Sequence, residues 1–245
     1  MKKICLIMAA IAVGTASAFA QLASDMNLKT FHVVGDYNLF GVSYDNTHLS
    51  NKYGVFEDDK GAGYNGFGLE YTHGFGLSHS LPMHLELGAK FNLGFYSLSD
   101  KESEGHYEYK FTFSSRLMRL SIPVSYAYSI AIGDNMAITP YIGLDFRFNL
   151  LANGTTKVEE YLKGELMDED EDNKYSWSFF DKDEMDDETW QRFQMGWHIG
   201  VRFAIEKVFL GINYGTDFMP IYKDPDSSKY NVNSQNLAVT LGIRF

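Results

Sequence analysis

Residues 237–245, Leu237-Ala238-Val239-Thr240-Leu241-Gly242-Ile243-Arg244-Phe245, carry a large apolar side chain at every odd position and a small, polar or charged one at every even position. Strict alternation is the period of a β-strand with two unlike faces. The period recurs upstream. Met195, Trp197, Ile199, Val201, Phe203 and Ile205 alternate with Gly196, His198, Gly200, Arg202 and Ala204. After Glu206-Lys207, the series Val208, Leu210, Ile212 and Tyr214 alternates with Phe209, Gly211, Asn213 and Gly215. The stretches Met83–Phe95, Met118–Tyr128 and Ile138–Phe148 repeat the pattern, and 31–40 and 66–72 carry weaker versions.

Eight strands are expected, near residues 29–43, 63–75, 82–97, 115–132, 136–151, 192–206, 207–220 and 232–245. Gly133-Asp134-Asn135 and Glu206-Lys207 are hairpin-tight connections, and His79-Ser80-Leu81-Pro82 is short. Residues 44–62, 98–114, 152–191 and 221–231 are long and polar instead. Short turns at one end and long loops at the other are the habit of outer-membrane barrels, with the turns periplasmic. Both ends of the chain then fall on the short-turn side.

The interior of an eight-stranded barrel holds little more than its own side chains. It has no room for Trp197, Phe203, Phe91, Phe95, Phe146 and Phe148 together. With the large faces turned to lipid and the small and ionic faces inward, the pattern fits. A closed cylinder also satisfies every backbone N–H and C=O within hydrocarbon. The expected fold is therefore all-β: an eight-stranded antiparallel up-and-down transmembrane β-barrel, with the outer membrane as its location. Trp190, Trp197, Tyr126, Tyr141 and Tyr214 are candidates for interfacial aromatic girdles.

Residues 1–20 have the form of a signal peptide. Lys2 and Lys3 precede an apolar run from Ile4 to Val13, and Ala18-Phe19-Ala20 fits small-x-small cleavage. The barrel is then expected over 21–245. Cys5, the single cysteine, lies in the leader, so disulfides, thiolate catalysis and cysteine-ligated metals are excluded from the processed chain. Cleavage would leave 19 basic against 32 acidic residues, a charge of −13 that argues against nucleic acid. Aromatic content of 16% alongside 22 glycines suits membrane strands.

The stretch Leu117–Leu150 resembles the small outer-membrane barrels of the PorT-like, or outer membrane protein beta-barrel domain, family. Ile122-Pro123-Val124 and Pro140-Tyr141-Ile142-Gly143 are the two marks that match. The resemblance implies a barrel without a catalytic signature. Terminal Phe245 looks like the signal read by the barrel-assembly machinery.

Inward assignment of the small faces puts Asp36, Glu70, Glu86, Asp145 and Asp217 in the lumen with Lys90, Arg119, Arg147, Arg202 and Arg244. Five acids balance five bases, and charges confined in this way need partners. Glu86, Asp145 and Glu70 are the expected partners of the cations, in a polar core that plugs the barrel. The alternative is a small-solute or ion channel, in which gaps beside the glycines hold water. A soluble lipocalin-like binder is a third class, and it predicts an aqueous protein needing no detergent.

Residues 159–188 contain fourteen acids, including Asp168-Glu169-Asp170-Glu171-Asp172, set against Lys157, Lys163, Lys174 and Lys182. The bland expectation is a solvated loop. Asp168, Asp170 and Asp172 have the opening spacing of an EF-hand, but Asn173 replaces the turn glycine and Phe179 stands where the closing Glu belongs. What remains is loose divalent-cation association, bridging lipopolysaccharide phosphates. Within the loop, Tyr175, Trp177 and Phe179 form an alternating aromatic strip, expected to extend a hairpin and to offer a surface to a protein or glycan partner. Lipid-A-modifying barrel enzymes use His, Ser and a carboxylate. No such spacing stands out here; the histidines at 73, 79 and 84 read as turn composition, and a His pair on adjacent strands would lack a third metal ligand. The sequence thus points to a non-catalytic protein with no cofactor, in contact with outer-membrane lipid and lipopolysaccharide.

Overall fold

A computed structural model describes residues 34–50, 62–132, 134–162, 165–167, 174–185, 189–223 and 231–245. The proposed signal peptide and the acidic run Asp168–Asp172 lie outside these residues. Among the described residues eleven strands are assigned: β1 Tyr37–Ser50, β2 Ala62–Gly76, β3 Met83–Glu104, β4 Tyr107–Tyr128, β5 Ile130–Ile132, β6 Met136–Leu162, β7 Glu165–Leu166, β8 Lys174–Ser178, β9 Phe193–Ile205, β10 Val208–Asp217 and β11 Asn233–Arg244. Eight of them close a ring in the order β1, β2, β3, β4, β6, β9, β10, β11, with every adjacent pair antiparallel. β5 continues the β4 side against β6, and β7 and β8 add to β6 above the ring.

The stagger of this ring can be followed rung by rung. Asn38 opposes His73, then Leu87, Val124, Leu144, Trp197, Thr216 and Gln235 in turn. Gln235 opposes His48, ten residues along β1 from the starting point. Eight strands with that displacement must tilt by about 40° to the axis, and the resulting cylinder is filled by side chains.

The outer face is the apolar one. Ile142 and Leu69 are each 53% exposed, and Trp197, Phe203 and Leu210 also stand outside, while Ser43, His198 and Gln194 are wholly enclosed. Ile243 shares the outward register but is covered, at 7%. No helix among the described residues is long and apolar enough to cross a membrane. The strands cross instead.

Several strands outrun their sequence-based limits. Among the described residues β1 begins at Tyr37 and continues to Ser50, past the expected limit at 43, and the expected start near 29 lies outside those residues. The stretch 98–114, expected as a loop, is strand almost throughout: β3 and β4 pair up to Glu104↔Tyr107 around Gly105, whose φ is +66°. That left-handed conformation suits glycine, which lacks a Cβ. β6 likewise runs to Leu162, so the first quarter or so of the expected 152–191 loop is sheet. Polar composition misled the expectation because these extensions leave the lipid, where both faces can carry polar side chains.

A register shift between Met118 and Arg119 places one extra residue in β6, at Leu150. Below it the odd residues Asp145, Arg147 and Asn149 face inward. Above it the even residues Ala152 and Gly154 do. A one-residue bulge exchanges the faces of everything beyond it.

Candidate functional site: the filled lumen and its cap

At the periplasmic end Tyr37, Leu39, Ala204 and Phe209 form a small apolar cluster. The Arg244 guanidinium lies 4.1 Å over the Tyr37 ring, and His84 meets that ring edge-on at 4.7 Å. Above them Glu86, 3% exposed, accepts hydrogen bonds from both Arg202 and Tyr37. Arg202 also sits 4.4 Å over the ring of Tyr141. Tyr141 is thus a lumen residue rather than part of a girdle, whereas Tyr126, Trp197 and Tyr214 do face outward.

The next layer joins strands that are not neighbours. Lys90 on β3 reaches across β2 to Asp45 on β1, which also accepts from Ser43 and Asn236. The passage exists because Gly68 lies between: a Cβ there would come within 2.9 Å of Lys90 Cε and 3.0 Å of Asp45 Oδ2. Glu70 opposes Lys90 in the β2–β3 register. Arg147 is held by Asp145 at 2.7 Å and by Asp217, whose second oxygen accepts from Gln194 at 2.8 Å. Arg119 reaches no carboxylate among the described residues. It bonds Asn149 at 2.9 Å and Ser234 at 3.2 Å.

Asp36, assigned to the lumen from sequence, is instead exposed at the periplasmic rim, where it accepts from the Gly76 backbone N–H. Asp45 is the carboxylate the inward set lacked. The flanking Val42, Tyr44 and Asn46 alternation contained the signal, but the expected strand stopped at 43, short of Asp45.

The structure also assembles three residues that sequence spacing did not connect. Ser125 on β4 and His198 on β9 share a rung through Gly143 on β6. Ser125 Oγ and His198 Nε2 are 2.7 Å apart, and His198 Nδ1 lies 3.1 Å from Asp145 Oδ1. These are the partners of a nucleophile relay. They border a lumen cavity of about 70 Å³, room for a handful of waters. The Glu86–Arg202 pair and the Arg147–Asp145 pair line the same space.

At the extracellular mouth, Leu49, Tyr64, Leu117, Ala152, Phe179, Ile221 and Val232 pack together, joined by Tyr96, Phe113, Trp177 and Trp190. Phe179 stacks on Trp190 at 4.1 Å. Gly154 accommodates Trp177, since a Cβ there would sit 2.6 Å from the indole ring. Of the aromatic strip, only Tyr175 is well exposed, at 61%. Trp177 is half-buried and Phe179 buried, because β8 folds onto β6 and delivers the strip to the mouth.

A closed eight-stranded ring, apolar outside and ionic within, defines the class: a small outer-membrane β-barrel. Solved structures of that class align over nearly their whole length. The attachment invasion locus protein Ail of Yersinia pestis is 12% identical, covering 86% of this chain and 99% of its own, with a TM-score of 0.41. Neisserial surface protein A is 15% identical over 86% and 97%, TM-score 0.39. The outer membrane enzyme PagL is 11% identical over 83% and 98%, TM-score 0.40. No residue role is carried across from them. No protein-family model matches the sequence, and no curated protein matches it.

Proposed function

We propose that this protein is a non-catalytic barrel of the PorT-like kind, acting in a structural or surface-interaction role through its extracellular part, with its lumen plugged. The observation that carries the reading is the succession of cross-strand charge pairs, Arg202–Glu86, Lys90–Asp45 and Arg147–Asp217, stoppered by Phe209 below and by the Leu117–Phe179 cluster above. Paired buried charges are strongly held, since separating them leaves an uncompensated ion. Outward Phe245, 49% exposed, is available as an assembly signal. Lipopolysaccharide and outer-membrane lipid are its surroundings. A protein or glycan partner would meet the ring of Tyr175 and the strand extensions rather than Trp177.

Planar-bilayer recording tests the plug. The purified barrel is expected to give no steady current above the bare membrane, and a stable, salt-proportional conductance would establish the channel reading instead.

Catalysis is tested separately at Ser125. The cavity beside Ser125 and His198 has room for a few waters but not for an acyl chain, so a fluorophosphonate probe is expected to leave Ser125 unlabelled in the folded barrel. Labelling that disappears in Ser125→Ala would make the relay an active site.

A further inference from the structure

Above the lipid-facing band, the outer surface of β3, β4, β6 and β8 changes character row by row. The last wholly apolar rungs are Phe91–Leu120–Phe148–Phe193 and Leu93–Met118–Leu151. Directly above, Arg116 stands between Phe95 and Asn153. The following rung is all hydroxyl: Ser97, Ser114, Thr155 and Ser176. The one after it is Ser99, Thr112, Lys157 and Lys174. Lys101 opposes Lys110 in the next.

The bulge at Leu150 creates this face. By exchanging inward and outward positions on β6, it turns Asn153, Thr155 and Lys157 to the outside, in line with Arg116, Ser114 and Thr112 on β4. The result is a shallow hollow of about 490 Å³ whose walls are three cations, four hydroxyls and an amide. Its hydroxyls are tied to one another across the strands, Ser97–Ser114 at 3.3 Å, Ser99–Thr112 at 3.1 Å and Thr155–Ser176 at 3.0 Å, so the floor is fixed. Glu159 holds Lys110 at 2.6 Å and Lys157 at 2.8 Å, and these two contacts, Lys110's the larger, bring its carboxyl down to about 2. Arg116 and Lys174 are exposed and have no carboxylate within ion-pairing distance among the described residues.

In a chain of net charge −11, a basic hollow is the exception. Its height matters more. Arg116 lies one rung above side chains immersed in lipid, and Lys157 is four residues further along the neighbouring strand, about 13 Å at strand rise. Phosphates attached to the sugar of an outer-leaflet glycolipid are held at that depth, with the acyl chains beneath them. Guanidinium, ammonium and fixed hydroxyl donors together suit a phosphate.

The geometry points to a binding site for the phosphorylated headgroup of an outer-leaflet glycolipid, with Arg116 as principal hydrogen-bond donor to the phosphate, Lys157 and Lys174 as its second cationic pole, and acyl chains lying on Phe95, Leu120 and Phe148. It deepens the lipid contact of the proposed function but does not depend on whether the lumen conducts, which the bilayer recording decides by itself.

The test is lipid retention by the folded, full-length barrel in detergent, followed by native mass spectrometry. Phosphorylated lipid A, the same lipid A with its phosphates removed, dextran sulfate and inorganic phosphate are the probes. Wild type is expected to hold phosphorylated lipid A at least about tenfold more tightly than the dephosphorylated form, and R116Q/K174Q to lose about the same factor. Lys207→Gln, which removes one charge at the periplasmic turn, is expected to bind like wild type. Heat-modifiable mobility on gels establishes that each variant is folded. Equal retention by R116Q/K174Q, equal binding of the dephosphorylated lipid, or preference for dextran sulfate or inorganic phosphate would each overturn the assignment.

Discussion

Replacing Glu86 with alanine is expected to cost about 3–5 kcal/mol, the largest effect of any single lumen substitution. Glu86 is the one acceptor shared by Arg202 and Tyr37, and it lies within the field of Arg244 on the Tyr37 ring. Its removal leaves the Arg202 guanidinium buried at 8% exposure over the Tyr141 ring, with no carboxylate at ion-pairing distance among the described residues. The cost comes from that stranded charge more than from the lost attraction. Accordingly, Glu86→Leu combined with Arg202→Met should lose distinctly less than Glu86→Ala alone, because no ion is left unpaired. Urea unfolding of the refolded barrel, followed by its heat-modifiable gel shift, measures both. A double variant no better than the single one would show that the pair is dispensable and that packing governs this layer.

Gly143→Ala is expected to be nearly as damaging, by about 1–3 kcal/mol or more. The added methyl would stand 2.1 Å from the Val124 carbonyl oxygen, 2.7 Å from Ser125 Cα and 2.9 Å from His198 Cε1. Two of those neighbours are backbone, so relief requires β4 and β6 to separate. The imidazole would also lose its path across β6 to Ser125. At Gly63 the same change meets only Asn46 Nδ2 at 3.9 Å and should be neutral or slightly stabilising, within about 1 kcal/mol. Refolding yield and urea midpoint for the two alanine variants distinguish a crowded rung from a general intolerance of strand glycines. Near-native stability of Gly143→Ala would mean that this part of the barrel yields more readily than its register implies.

The glycine of Pro140-Tyr141-Ile142-Gly143 thereby acquires a physical role. It is the gap through which residues on β4 and β9 touch, as Gly68 is the gap between β1 and β3. In sequence both are merely small residues on the inward face. Small size at those positions was legible, but the traffic through them was not.

Alternation alone decided a great deal. It assigned Trp197, Phe203 and Leu210 to the outside and Arg202, His198 and Asp145 to the inside, because the two-residue period is a local property of extended backbone and lipid selects one face. It also gave eight membrane strands with tight turns at one end, since the turn signals are local too. Tertiary structure decided which charges meet. The ten-residue stagger of the closed ring sets which rungs coincide, and only then does Lys90 find Asp45, Arg147 find Asp217, and Ser125 find His198. The bulge at Leu150 and the folding of β8 onto β6 are equally non-local: one turned a hydroxyl and lysine ladder outward, and the other carried Phe179 and Trp177 into the mouth. A period of two can name a face, but partners across a cylinder are fixed by closure.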